Sequence, residues 1–136
     1  MMKSVKIFLA AGAALLLASA PMMAHHSFAA EYDENKPVKV TGTVSKVEWK
    51  NPHIWWYVDS KDDSGKITTW GFSGGPPGML IRRGITKDVL KLGDVITVSG
   101  VRAKDGSFNA SGGTVVFAKD GRKVFTAGAE DAVPKN

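Results

Sequence analysis

From residue 38 onward the chain alternates apolar and polar side chains with a period of two. Val38, Val40 and Val44 fall on one face with Gly42 between them, the spacing of a half-buried strand. The apolar phase then slips to Val47 and Trp49, which predicts a bulge at Ser45-Lys46. Asn51-Pro52 interrupts the pattern, and His53 to Asp59 resumes it. There Ile54, Trp56 and Val58 share one face, while His53, Trp55 and Tyr57 share the other. Asp62-Asp63-Ser64-Gly65 predicts a turn into a returning strand from Lys66 to Phe72. Gly74-Gly75-Pro76-Pro77-Gly78 breaks the alternation. Met79 to Arg83 and Thr86 to Leu92 then predict two short helical pieces, the second with Thr86 as N-cap and Gly93 past its end. Strands follow at Asp94 to Ala103, Thr114 to Ala118 and Lys123 to Thr126, separated by turns at Lys104-Asp105-Gly106-Ser107 and Asp120-Gly121. The turns resemble one another, but no longer repeat accompanies them.

Three strands, a short helical connector and two or three further strands follow the element order of the OB fold. The predicted fold class is therefore all-β with a short helical connector, a small five- to six-stranded OB-like barrel. A long bulged first strand fits, because it must bend to serve both halves of such a barrel. A small β-sandwich is the alternative; the helix between the third and fourth strands favours the barrel.

The segment ahead of the strands changes the picture. Lys3 and Lys6 precede an uncharged run, Ile7 to Ala20, of 14 residues. That length suits a secretory signal and falls short of the roughly 20 residues of a membrane span. Ala18-Ser19-Ala20 has the small-x-small pattern, but Pro21 blocks cleavage there, so the expected cut follows Ala24 although Met22 is larger than ideal. The expected organisation is a cleaved signal over 1–24, an N-terminal arm over 25–36, the barrel over 37–127 and a disordered tail over 128–136. The expected location is the periplasm, with no membrane association after cleavage. The whole chain carries 18 Lys+Arg against 13 Asp+Glu. Removal of Lys3 and Lys6 leaves 16 against 13, or +3, which gives no footprint for nucleic acid.

The 136 residues include no cysteine. This excludes disulfide frameworks, thiolate metal sites, iron–sulfur ligation and cysteine nucleophiles. The length excludes a doubly wound nucleotide-binding enzyme or an eight-unit βα barrel. No serine lies in a Gly-x-Ser-x-Gly elbow, so the enzyme question leans toward no, with copper redox chemistry the one enzyme class that has a physical case.

His25-His26-Ser27-Phe28-Ala29-Ala30-Glu31-Tyr32, Asn51-Pro52-His53-Ile54-Trp55-Trp56 and Gly74-Gly75-Pro76-Pro77-Gly78 together resemble a family of small exported bacterial proteins of unknown function. The resemblance spans nearly all of the mature chain and implies a periplasmic β-rich domain. It carries no activity with it.

The histidines carry the sharpest chemistry. After cleavage at Ala24, His25 presents an α-amine and an imidazole that can chelate one ion. His53 supplies a third nitrogen, giving an arrangement that resembles the histidine brace of copper-dependent polysaccharide monooxygenases and some periplasmic copper carriers. Imidazole and amine nitrogens favour Cu(II), with Zn(II) and Ni(II) behind it. His26 offers a competing mode through amine, amide and its own imidazole. Against a metal site stands the plainer possibility that His53 only hydrogen-bonds a backbone carbonyl. Glu31, Asp33 and Glu34 are either carboxylate partners for a histidine or solvated charges.

Trp55 and Tyr57 are candidates for a ligand or partner face, as a platform for a sugar or another planar group, weighed against simple packing. Arg82 and Arg83 follow the glycine–proline connector and are candidates to dock an acidic partner. That connector lacks the spacing of a phosphate loop. The leading functional expectation is a periplasmic metal-binding protein using His25, His53 and His26, with copper as cofactor and a metal ion or periplasmic protein as partner. The alternative is a metal-free binding or accessory module using the aromatic face, and the third reading is a copper-dependent redox enzyme.

Overall fold

The computed structural model describes residues 28–126. Residues 28–31 are helical and fall outside the compact unit that begins at Tyr32. That unit contains six strands: β1 (Tyr32–Glu48), β2 (Trp55–Lys61), β3 (Ile67–Ser73), β4 (Val95–Ala103), β5 (Asn109–Phe117) and β6 (Lys123–Thr126). Within this unit a helix, α1 (Pro77–Arg82), stands between β3 and β4. The strand order is β3-β2-β1-β4-β5-β6, and a parallel contact of β3 with β5 closes a five-stranded ring. The fold is all-β, with the strand and helix order of the OB type.

β1 does the bending. Its first half pairs with β4, from Tyr32 opposite Ala103 to Thr43 opposite Val95. Its second half pairs with β2, from Thr43 opposite Asp59 to Glu48 opposite Trp55. The register shifts between Val44 and Lys46, which is the bulge that the slipped apolar phase predicts. Where β1 passes from one neighbour to the other, Gly42 leaves no room for a side chain, because a Cβ there would run into the Asp59 carbonyl.

The core forms inside the ring. Val44, Ile54, Trp56, Val58, Phe72, Ile96, Val98 and Val115 are all nearly solvent-free. Trp56 is its centre: 1% exposed, its ring centroid 6.4 Å from Phe72 and edge-on to Phe125 at 5.5 Å. The indole fits because two of its neighbours are glycines. A Cβ on Gly112 would lie 2.5 Å from Trp56 Cζ2, and one on Gly74 would lie 2.8 Å from Cζ3. Leu80 of α1 and Leu90 beyond it complete the core, so the connector is a packed part of the domain.

Three expectations are corrected. Residues 86–92 form no helix. Val89 N–H does bond the Thr86 carbonyl at 3.1 Å, but a single turn cannot offset the cost of helix nucleation. Ile85, Val89 and Leu90 each pack on the core and draw the segment along it instead. β5 starts at Asn109, not Thr114. Ala110 and Gly112 are buried, and Gly112 lies beside the Trp56 ring, so bulk that would have marked the strand is absent. β1 reaches back to Tyr32, into the stretch read as an arm. The tail over 128–136 and the signal over 1–24 lie outside the described residues.

Candidate functional site

His53 precedes β2 in an exposed turn that follows a cis Asn51-Pro52 bond. The turn is tied to the β3–α1 connector: Gly74 N–H donates to the Ile54 carbonyl at 2.9 Å, and Ile54 N–H to the Gly75 carbonyl at 3.2 Å. The glycine–proline stretch thus continues the β2–β3 pairing by one step. Within this frame His53 Nδ1 lies 2.8 Å from the Gly74 carbonyl, which is the backbone contact of the plainer alternative. A carbonyl only accepts, so Nδ1 carries the proton and Nε2 is free of it in the neutral ring. The residue before Gly74 holds a second long-range contact. Ser73 Oγ shares a buried hydrogen bond of 2.6 Å with the hydroxyl of Tyr32, at the start of β1. The last residue of β3 and the first of the connector therefore hold, respectively, the start of β1 and the imidazole.

Beyond His53 the alternation holds. Ile54, Trp56 and Val58 are buried, while Trp55 and Tyr57 are half-exposed on the outer face of β2. Their ring centroids are 6.4 Å apart with planes inclined by 22°. Tyr57 lies over Gly71 of β3, where a Cβ would be 3.2 Å from its ring. Asn109 of β5 approaches the same glycine on that face, its Oδ1 2.6 Å from such a Cβ. On the other flank β1 contributes charge. Lys46 and Lys50 both bind Glu48, the second at 2.9 Å, and Lys46 Nζ stands 5.3 Å from the centre of the Tyr57 ring. The hydrogen bond from Lys46, and then that from Lys50, holds the Glu48 carboxyl down at about 2 from an ordinary 4.5. Asp59, next along the β2 face, receives Thr69 Oγ1–H at 2.6 Å and Ser45 Oγ–H at 3.3 Å, both on Oδ1.

Arg82 and Arg83 stand apart from this arrangement in their bonding. Arg82 is exposed in the last turn of α1 and Arg83 caps the helix half-buried. Neither guanidinium makes a hydrogen bond or ion pair among the described residues, and one Arg83 nitrogen is buried without an acceptor. His25 and His26 lie outside the described residues. Among the described residues no group of three or more His, Asp or Glu side chains is gathered to hold a metal ion, and no helix is long and apolar enough to cross a membrane.

Sequence reasoning found the aromatic pair and missed its polar surround. Glu48, Asp59, Gly71 and Asn109 come from four different strands, and only the register brings them to one face. The Asn109 contact had no signal at all in the sequence. Asp59 had one, the continuation of the Trp55–Tyr57 phase by two residues.

A family model for DUF6152, a family of unknown function, matches residues 13–113. No curated protein and no solved structure matches the chain.

Proposed function

We propose, for a chain that belongs to this family of unknown function, that it is an exported periplasmic protein that binds copper. The observation that carries the reading is the His53–Gly74 hydrogen bond. It orients the ring and commits Nδ1 to donation, which leaves Nε2 as the basic nitrogen of an exposed imidazole. Histidines that ligate metals are commonly held in this way, with the other N–H on a carbonyl or carboxylate. One imidazole is not a site. The further nitrogens in this reading are the α-amine and Nδ1 of His25 after cleavage behind Ala24, with His26 as the competing donor. Six residues lie between His25 and Tyr32. Tyr32 and His53 are bonded to consecutive residues, 73 and 74, so the start of β1 and the imidazole are tied to one stretch of chain. A set of amine and imidazole nitrogens with no thiolate favours Cu(II).

The test is a calorimetric titration of the mature protein with Cu(II), with tryptophan emission followed in parallel. The expected result is one ion per chain, with emission quenched because Trp55 and Trp56 neighbour His53 in sequence. His53→Ala is expected to weaken binding by at least about a hundredfold, since even outer-shell losses cost 10–100-fold. Equal affinity in His53→Ala would overturn the reading and leave only a flexible terminal peptide mode.

A second reading, a metal-free binding or accessory module, rests on the Trp55–Tyr57 pair. It predicts a partner that still binds the His53→Ala protein in the presence of a chelator.

A further inference from the structure

The outer face of β2 carries hydrogen-bonding capacity that the domain does not use. The Trp55 indole N–H, the Tyr57 hydroxyl, Asp59 Oδ2 and the Asn109 side-chain amide take no hydrogen bond among the described residues. They surround an aromatic pair whose rings lie within 22° of parallel. Charge on this face is close to balanced, three lysines (Lys46, Lys50, Lys61) against two carboxylates (Glu48, Asp59), and Lys46 and Lys50 are already engaged by Glu48. Among the described residues a polyanion finds one unpaired cation, Lys61 at the far end of β2, and it would meet Asp59 before it. An apolar segment would strand the amide, the hydroxyl and the carboxylate oxygen, at a cost for each. What fits is a neutral ligand that offers hydroxyl donors and acceptors around a flat C–H surface.

From this combination we propose that the Trp55–Tyr57–Asp59–Asn109 face binds a neutral pyranose oligosaccharide. One sugar ring stacks on Trp55 and Tyr57, and its hydroxyls donate to Asp59 Oδ2 and exchange hydrogen bonds with the Asn109 amide. Gly71 is part of the device. With no side chain there, the Tyr57 ring comes close to β3 from β2 and Asn109 comes close from β5, so that ring and amide share one patch. The inference needs no metal and goes beyond the copper reading.

The test is a titration of the ¹⁵N-labelled barrel protein, in EDTA, with cellotetraose and with chitotetraose, and with a heparin tetrasaccharide as the anionic comparison. The expected result is a saturable shift of the Trp55 indole and of the Tyr57, Asp59 and Asn109 signals with at least one neutral tetrasaccharide. Trp55→Ala is expected to weaken it about tenfold or more, the scale of one lost stacking platform. Asp59→Asn, which preserves shape, is expected to weaken it several-fold, and the unchanged remainder of the spectrum reports that both variants fold. No shift at these residues with either neutral sugar, or tighter binding of heparin at the same face, would overturn the proposal. Because EDTA removes copper, failure of the copper reading leaves this result standing, and the reverse also holds.

Discussion

Gly112 and Gly78 have the same side chain and opposite reasons for it. A methyl group on Gly112 would press into the Trp56 ring at 2.5 Å, whereas one on Gly78 in α1 would meet nothing nearer than Arg82 Nη1 at 3.7 Å. Gly112→Ala is therefore expected to cost about 1–3 kcal/mol by overpacking, and Gly78→Ala to be neutral or to stabilise by up to about 1 kcal/mol. Urea unfolding of the two variants separates these outcomes. Glu48 gives a second prediction at this scale. Its carboxyl titrates at about 2 when folded, below the ordinary 4.5, so the folded state favours its ionised form. The stability contributed by the Lys46–Glu48–Lys50 contact is fully present above pH 4.5 and is lost as pH falls through about 2. Carboxyl NMR should follow Glu48 to that low midpoint, and Glu48→Gln should remove this part of the acid dependence. Single residues were partly legible in the sequence. Trp56 and Val58 declared themselves as core by their period, but the free Nε2 of His53 depends on a carbonyl 21 residues away, which no local pattern encodes.

The β2–β3 hairpin is the element most completely written in its own residues. Asp62 Oδ1 accepts from Ser64 N–H, Ser64 Oγ–H and Lys66 N–H at 2.9, 2.6 and 2.9 Å, and Gly65 turns with φ of 87°. The Ser64 hydroxyl, then the Lys66 N–H, lowers the Asp62 carboxyl below its ordinary value. Asp62→Ala is expected to lower the thermal midpoint by a few degrees while copper affinity stays unchanged, as scanning calorimetry and a copper titration would show. Elements whose signal is local in this way, including β1 with its bulge, β2, β3 and β6, could be read directly. β5 and the segment over 86–92 could not. In β5 the residue at 112 is a glycine where a ring from another strand occupies the space, so the pattern belongs to the contact. The 86–92 segment carries helical spacing and a good N-cap, yet its apolar residues are held by the ring's end and not by a helix.

At the scale of the whole molecule, closure of the ring couples the core to the candidate site. Phe125 of β6 packs edge-on against Trp56 at 5.5 Å, Trp56 packs on Gly74, and the Gly74 carbonyl holds His53. Phe125→Ala is expected to cost about 3–5 kcal/mol of stability, read by denaturant unfolding. The proposed copper binding has its own expected pH signature. The α-amine titrates at about 7.7–8.0 in model peptides, so a proton must leave for the ion to bind. Affinity should fall by at least about tenfold per pH unit below about pH 7.5, and a variant with one residue added ahead of His25 should lose this dependence along with tight binding. Fold class, the order of elements along the chain and the aromatic face were legible at this scale because they follow from order and period in the sequence. The polar surround of that face was not, because it is assembled from β1, β2, β3 and β5 by register.

The native mass of protein purified from a periplasmic fraction, before and after one equivalent of Cu(II), decides whether the chain binds copper as proposed. A chain that starts at His25 and retains one copper ion is the expected result. A chain that starts elsewhere, or one that starts at His25 and retains none, would contradict it.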